Sequence, residues 1–212
     1  MLLLLLAGCF PTMQGARIDN GFHVDVGTIV LSDQVRNDEP QGPDLMAWAA
    51  PLVGFRQAIE LGLPAGIYLE SDDIGGDDYQ LMLWPYLKVG LLDPAGRDHL
   101  AVILQGAWFL PANIGVRYGR DLGRWEPYGG ASVLFSGGPA GDDPLVVRYQ
   151  EKGQVLLQLV AGATALGGRF RPSFEAGLLV NRYQEGAVFG DFGQPTVPRT
   201  LVDLFVGGRM RW

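Results

Sequence analysis

The chain has 212 residues, of which 31 are glycine, 18% are charged and 48% are hydrophobic, with a net charge of −7. A soluble domain carries about a quarter charged residues, and a disordered chain lacks so many apolar ones. No internal run reaches the roughly 18 to 20 uninterrupted apolar residues of a membrane-spanning helix, so a helical membrane protein is excluded and Gly-rich β-structure is left.

Residues 1–9 read Met-Leu-Leu-Leu-Leu-Leu-Ala-Gly-Cys, an apolar run too short to span a bilayer and shaped like a signal h-region. Leu6-Ala7-Gly8-Cys9 resembles the lipobox of bacterial lipoproteins, in which small residues precede a cysteine that is acylated and becomes the mature N-terminus. Cys9 is the only cysteine, so no disulfide forms within the chain, and lipidation gives this thiol a role. An ordinary cleaved signal is the competing reading. In the lipoprotein family an Asp after the cysteine favours inner-membrane retention; Phe10 stands there instead, which implies the outer membrane. Residues 10–19 are expected as a periplasmic segment, and 20–212 as one barrel domain.

From residue 20 the apolar pattern has period two, with turn signals between the runs. The clearest run is 79–91, where Tyr79, Leu81, Leu83, Pro85, Leu87, Val89 and Leu91 share one face and Gln80, Trp84, Tyr86 and Lys88 the other. Residues 58–70 and 154–166 repeat the scheme. Strands are predicted over 20–31, 46–56, 58–69, 79–91, 98–109, 112–120, 125–136, 153–166, 169–182 and 201–212. The second is the weakest because it contains Pro51; its loss with a neighbour would leave eight strands. The connections alternate between long and short, and an outer-membrane barrel has short periplasmic turns and longer extracellular loops.

If odd-numbered strands run outward, the aromatics Phe22, Tyr118, Trp125, Phe170 and Trp212 fall at periplasmic strand ends, and Tyr79, Trp108 and Phe135 at the opposite ends. Two such belts suit rings that bury their bodies in lipid and wet their edges. The run Val202, Leu204, Val206, Gly208, Met210, Trp212 resembles the C-terminal signature that outer-membrane barrels present to their assembly machinery. By pattern over almost its whole length, the chain is similar to small bacterial outer-membrane β-barrels. The resemblance implies an all-β, up-and-down antiparallel transmembrane barrel of ten strands, with eight next, in the bacterial outer membrane and with both termini periplasmic. A soluble barrel or sandwich is the competitor, but it needs a well-solvated second face. Here that face is Gly, Ser, Gln, aromatics and few charges.

The inward face is expected to carry Asp25, Glu60, Glu126, Glu175 and Asp203 against Lys88, Arg117, Arg171 and Arg209. In so narrow a barrel a balanced set can pair across the interior and fill it. The expected role is therefore structural or surface-binding, with a narrow channel for ions or small solutes as the alternative and an outer-membrane enzyme as a lower one. Five carboxylates lie in residues 70–78; Asp72, Asp73, Asp77 and Asp78 could hold a divalent cation, although their spacing departs from the twelve-residue calcium loop. Solvated acidic loops are the simpler reading. The two histidines, His23 and His99, both fall at the periplasmic ends of strands, away from the outer rim where a His-based catalytic site would sit. No nucleophile elbow, phosphate loop or cofactor motif is present, so no catalytic residue and no cofactor is assigned. The expected partners are outer-membrane lipid, lipopolysaccharide, the barrel-assembly machinery and a small solute or surface ligand. The acidic balance speaks against nucleic acid.

Overall fold

The computed structural model describes residues 14–31, 44–69, 80–107, 110–135, 155–185 and 197–212. Their strands are β1 (Gly21–Leu31), β2 (Asp44–Phe55), β3 (Ile59–Gly62), β4 (Ala65–Leu69), β5 (Gln80–Leu83), β6 (Tyr86–Gly90), β7 (Asp98–Ala107), β8 (Leu110–Arg120), β9 (Trp125–Phe135), β10 (Val155–Ala165), β11 (Arg171–Glu185) and β12 (Val197–Arg211). β3 and β4 are two halves of one barrel strand, as are β5 and β6, so the barrel has ten strands. Every pairing is antiparallel between sequence neighbours, and β1 closes the ring by pairing with both β2 and β12.

The two interruptions have one cause. Pro51, Pro64 and Pro85 lie on adjacent strands, and a proline has no N–H to give the ladder. The register holds across the gaps, with Gly62 opposite Leu52 and Ala65 opposite Ala49. Each proline carbonyl still accepts a bond: Leu63 N–H donates to Pro51 at 3.0 Å, Trp84 to Pro64 at 3.1 Å and Gly106 to Pro85 at 3.1 Å. β2 therefore runs unbroken through Pro51, and the count is ten rather than eight.

All four described hairpins, 56–58, 91–97, 121–124 and 166–170, lie at one end of the barrel, the end where β1 begins and β12 finishes. The tightest is a turn from Phe55 to Ala58 with positive φ at Arg56 (52°) and Gln57 (56°), the mirror-image turn whose twist suits a two-residue hairpin. Asn20 steadies it, its Oδ1 accepting from Gln57 N–H at 2.6 Å.

Side chains alternate between two very different surroundings. Outward positions include Ile59 and Leu61 on β3, Leu63 in the gap after it and Ile67 on β4, Ile114 and Val116 on β8, Leu157 and Leu159 on β10, and Val202, Leu204 and Val206 on β12, all exposed. Among the described residues the outward positions of the strands carry charge only toward their ends, at Asp98 and Arg120 by the short hairpins and at Arg182 toward the other end of β11. Inward positions are buried, with Glu60, Arg117, Gln105, Asn113, Gln158 and Met46 each 0% exposed.

Candidate functional site: the filled interior and its strap

Residues 14–20 precede β1 and cross the mouth of the barrel at the short-hairpin end. The strap starts beside the first hairpin at Asn20. The Asp19 carbonyl occupies the place a Cβ would take at Gly54, and Ile18 packs over Gly54 and Gly90. The Arg17 carbonyl accepts from Lys88 Nζ at 3.0 Å, while its N–H donates to Glu126 Oε1 at 3.1 Å. The far end reaches the opposite wall, where Gly15 lies against the Tyr128 ring and Thr164. A buried backbone segment needs partners for its polar groups, and the inward side chains supply them. Of the segment expected as periplasmic, residues 10–19, the described part, 14–19, lies across one mouth, inside the rim.

Arg211 is the hub beneath the strap. Its guanidinium forks onto Asp25, with Nε to Oδ1 at 2.8 Å and Nη2 to Oδ2 at 2.9 Å, and its Nη1 reaches Glu60 at 3.2 Å and Asp19 at 2.9 Å. Arg209 Nη1 adds a second contact to Asp25 at 3.2 Å, and its Nη2 donates to Ser173 at 3.0 Å. Glu60 pairs with Lys88 at 2.7 Å and accepts from the Tyr86 hydroxyl at 2.8 Å. Arg171 holds Asp19 from the side with two contacts, 2.9 and 2.8 Å. Burial alone would raise the Asp19 pKa, but the Arg171 hydrogen bond and the Arg211 and Arg171 charges outweigh it and hold the carboxyl well below the usual range. Arg17 ties the strap to the third hairpin through Asp121 at 3.1 Å. The Asp121 carboxyl is also lowered, first by the Gly123 N–H it accepts and only slightly opposed by its little burial.

A second polar group lies on the β8 to β11 wall. The Tyr128 hydroxyl donates to Glu175 at 2.9 Å, Arg117 donates to Ser132 at 3.0 Å, and Ser173 and Thr164 share a bond of 2.9 Å. His99 Nδ1 lies 3.5 Å from Glu126 at the edge of this group. His23 instead bonds the Asn20 carbonyl at 2.8 Å.

Beyond both polar groups, toward the opposite end, Ile29, Met46, Trp84, Val160, Leu179 and Phe205 form one apolar cluster with Trp48 against it. These residues come from β1, β2, the junction of β5 and β6, β10, β11 and β12, while the β7 to β10 wall buries Gln105, Asn113, Ser132 and Gln158. Glycines on the inner face make the room. A methyl on Gly177 would strike the Phe205 ring, one on Gly62 the Tyr86 ring and one on Gly162 the Tyr128 ring.

Eight of the nine charges expected inside have described side chains. Asp25, Glu60, Lys88, Arg117, Glu126, Glu175 and Arg209 are buried and Arg171 is partly so; Asp203 stands on β12 opposite Leu179, its side chain outside the described residues. The structure adds Asp19, Arg17, Arg211, Tyr86 and Tyr128. Arg211 shares the alternation of Arg209 and was legible by parity, as were the two tyrosines, whereas nothing in residues 14–19 signals a strap. Phe22, Tyr118, Trp125, Phe170 and Trp212 are exposed at the short-hairpin end, joined by Phe55. Tyr79 and Trp108 lie outside the described residues, and Phe135 ends β9 at the opposite end with its side chain outside them. Asp72, Asp73, Asp77, Asp78 and Cys9 also lie outside. No group that could hold a metal ion occurs among the described residues.

No family model matches the chain, and no curated protein is similar to it. Among solved structures it is similar to mutants of the porin of Rhodopseudomonas blastica. One is a triple mutant 8% identical, with a TM-score of 0.24, covering 92% of this chain and 100% of the porin. Another is 7% identical at the same coverage, with a TM-score of 0.23. Overlap this low carries no argument about pore or function.

Proposed function

We propose that this chain is a non-catalytic outer-membrane β-barrel, closed to solutes, with a structural or surface-binding role in the cell envelope. One observation carries the reading: the outward faces of the strands are apolar with charge only toward their ends, while most ionisable groups on the strands stand inward and bond one another. A water-soluble barrel needs the reverse, because a continuous exposed apolar band far exceeds the few hundred Å² that monomeric soluble proteins leave uncovered. Exposed aromatics at the short-hairpin end fit a headgroup-level girdle, and the shortness of those hairpins supports reading that end as periplasmic, with both termini on that side. Acylation of Cys9 would then anchor the chain in the same leaflet, only a few residues from the strap, and the alternating run ending at Trp212 would be the segment presented to the assembly machinery.

Closure follows from two independent fillings, the strapped ion network and the apolar cluster. The test is a pair of measurements on the protein refolded into lipid. Heat-modifiable gel mobility with extraction only by detergent is expected for a membrane barrel, and solubility without detergent after removal of residues 1–9 would contradict it. In planar bilayers no single-channel steps are expected. Steady openings whose size changes on Lys88→Gln or Arg117→Gln would replace the closed barrel with a narrow channel. Loss of palmitate labelling on Cys9→Ser is the expected signature of the lipid anchor.

A further inference from the structure

The short-hairpin end carries a ring of exposed arginines, one on each described hairpin: Arg56, Arg97, Arg124 and Arg169, with Arg120 at the end of β8. The carboxylates there are already engaged. Asp98 accepts from the Tyr118 hydroxyl at 2.6 Å and pairs with Arg120 at 3.7 Å; Asp121 is taken by Arg17 and the Gly123 N–H; Asp93 accepts from Ala95 N–H at 2.9 Å. Among the described residues Arg56, Arg97, Arg124 and Arg169 make no ion pair.

Each of the four stands by an exposed apolar side chain. Phe55 precedes Arg56, Leu91 and Leu92 share the hairpin of Arg97, Trp125 follows Arg124 and Phe170 follows Arg169. At the last site the Arg169 guanidinium lies 6.0 Å from the centre of the Phe170 ring, which meets Trp212 edge-on at 6.5 Å. A ring buried at the edge of the hydrocarbon places the adjoining guanidinium one step further out, where lipid phosphates lie. A guanidinium matches a phosphate with two parallel hydrogen bonds. Residues 70–78, between β4 and β5 in the sequence, have the opposite charge, with Glu70, Asp72, Asp73, Asp77 and Asp78.

We propose that the arginine rim binds the headgroups of anionic glycerophospholipids, phosphatidylglycerol being the simplest, in the leaflet on the short-hairpin side. The inference rests on the membrane-barrel reading and adds to it a lipid class and a side. The carboxylates beneath the strap, Asp19, Asp25 and Glu60, are paired within the chain with Arg171, Arg209, Arg211 and Lys88, whereas the four rim arginines are positive charge open to an outside partner.

The experiment refolds the full chain into phosphatidylcholine vesicles containing a minority of phosphatidylglycerol, extracts it gently and quantifies the lipid that stays bound by mass spectrometry. Phosphatidylglycerol is expected to be enriched over its bulk share, and the enrichment to fall about tenfold when Arg56, Arg97, Arg124 and Arg169 are all changed to Gln, since each basic group near an anionic surface contributes several-fold. Lipid retained in its bulk ratio by the unmodified chain, or equal enrichment in the variant, would overturn the proposal. So would binding of soluble polyglutamate with no lipid enrichment, which assigns the rim to an anionic polymer. Heat-modifiable mobility in pure phosphatidylcholine separates the two levels. A chain that fails to insert there overturns the membrane reading and this inference together, whereas one that inserts but shows no enrichment overturns the inference alone.

Discussion

The interior of the barrel holds two fillings of opposite chemistry. Nearest the short hairpins, Asp19, Asp25 and Glu60 converge on Arg211; further along the same strands, Ile29, Phe205 and Leu179 join Met46 and Trp84 in an apolar cluster. Going along β12 the change takes four residues, from Arg209 to Phe205, and along β1 it takes the same distance, from Asp25 to Ile29. The ionic half depends on complete pairing, because a buried charge stripped of its partner is far costlier than the pair was worth. The apolar half depends on volume, because each ring fills a socket left by a glycine. The two should therefore fail in different ways.

The largest effect is expected in the ionic half. Arg211→Met removes the cation shared by three carboxylates and should cost about 3 to 5 kcal/mol, read as a lowered urea midpoint of the lipid-refolded protein. Adding Asp25→Asn should cost less than it does alone, since the first change has already broken the fork the two residues share; a double variant as unstable as the sum of its parts would mean that the residues act separately.

In the apolar half, Phe205→Ala should cost about 3 kcal/mol through the cavity it leaves. Gly177→Ala should cost about 1 to 3 kcal/mol, because the new methyl meets the Leu159 carbonyl as well as the same ring. Combined, they should cost less than the sum, because loss of the ring relieves one of the two clashes and leaves the backbone one. Strict additivity would show that the socket does not bind the two sites together. Planar-bilayer recordings sharpen the comparison further. A chain lacking residues 14–19 keeps the apolar cluster and the buried Gln105, Asn113, Ser132 and Gln158, and should stay closed although destabilised, whereas conduction on that deletion would make the strap the sole seal.

The division between inside and outside was legible because a strand has a side-chain period of two, and a single slip of register would turn every charge outward. Hence Glu60, Lys88 and Glu175 could be assigned inward from sequence alone. The breaks at Pro64 and Pro85 were not foreseen, because they change the hydrogen bonding without changing the alternation. The strap was illegible for a different reason: Gln14 to Asn20 is neither periodic nor apolar, and its conformation is dictated by partners from five other parts of the chain, Glu126, Lys88, Asp121, Arg171 and Arg211. The pairing pattern inside, as distinct from its membership, also depends on three-dimensional reach; Arg171 turns to Asp19, a residue outside the expected network.

The smallest predicted effect isolates that strap. Asp19 has an ordinary pKa of 3.8, and in the folded chain Arg171 and Arg211 lower it despite its burial. The unfolded chain thus binds a proton at a higher pH than the folded one, so the carboxylate's contribution is complete above about pH 5 and is lost progressively as the pH falls through and below the ordinary value. Asp19→Asn should lower stability modestly at neutral pH and flatten the acid limb, measured as the urea midpoint against pH. The corresponding change on the apolar side, Phe205→Ala, should shift the midpoint by the same amount at every pH. If Asp19→Asn leaves the acid limb as steep as before, the strap is held by Lys88 and the backbone bonds to Glu126, and the Asp19 pairs are incidental to closing the mouth.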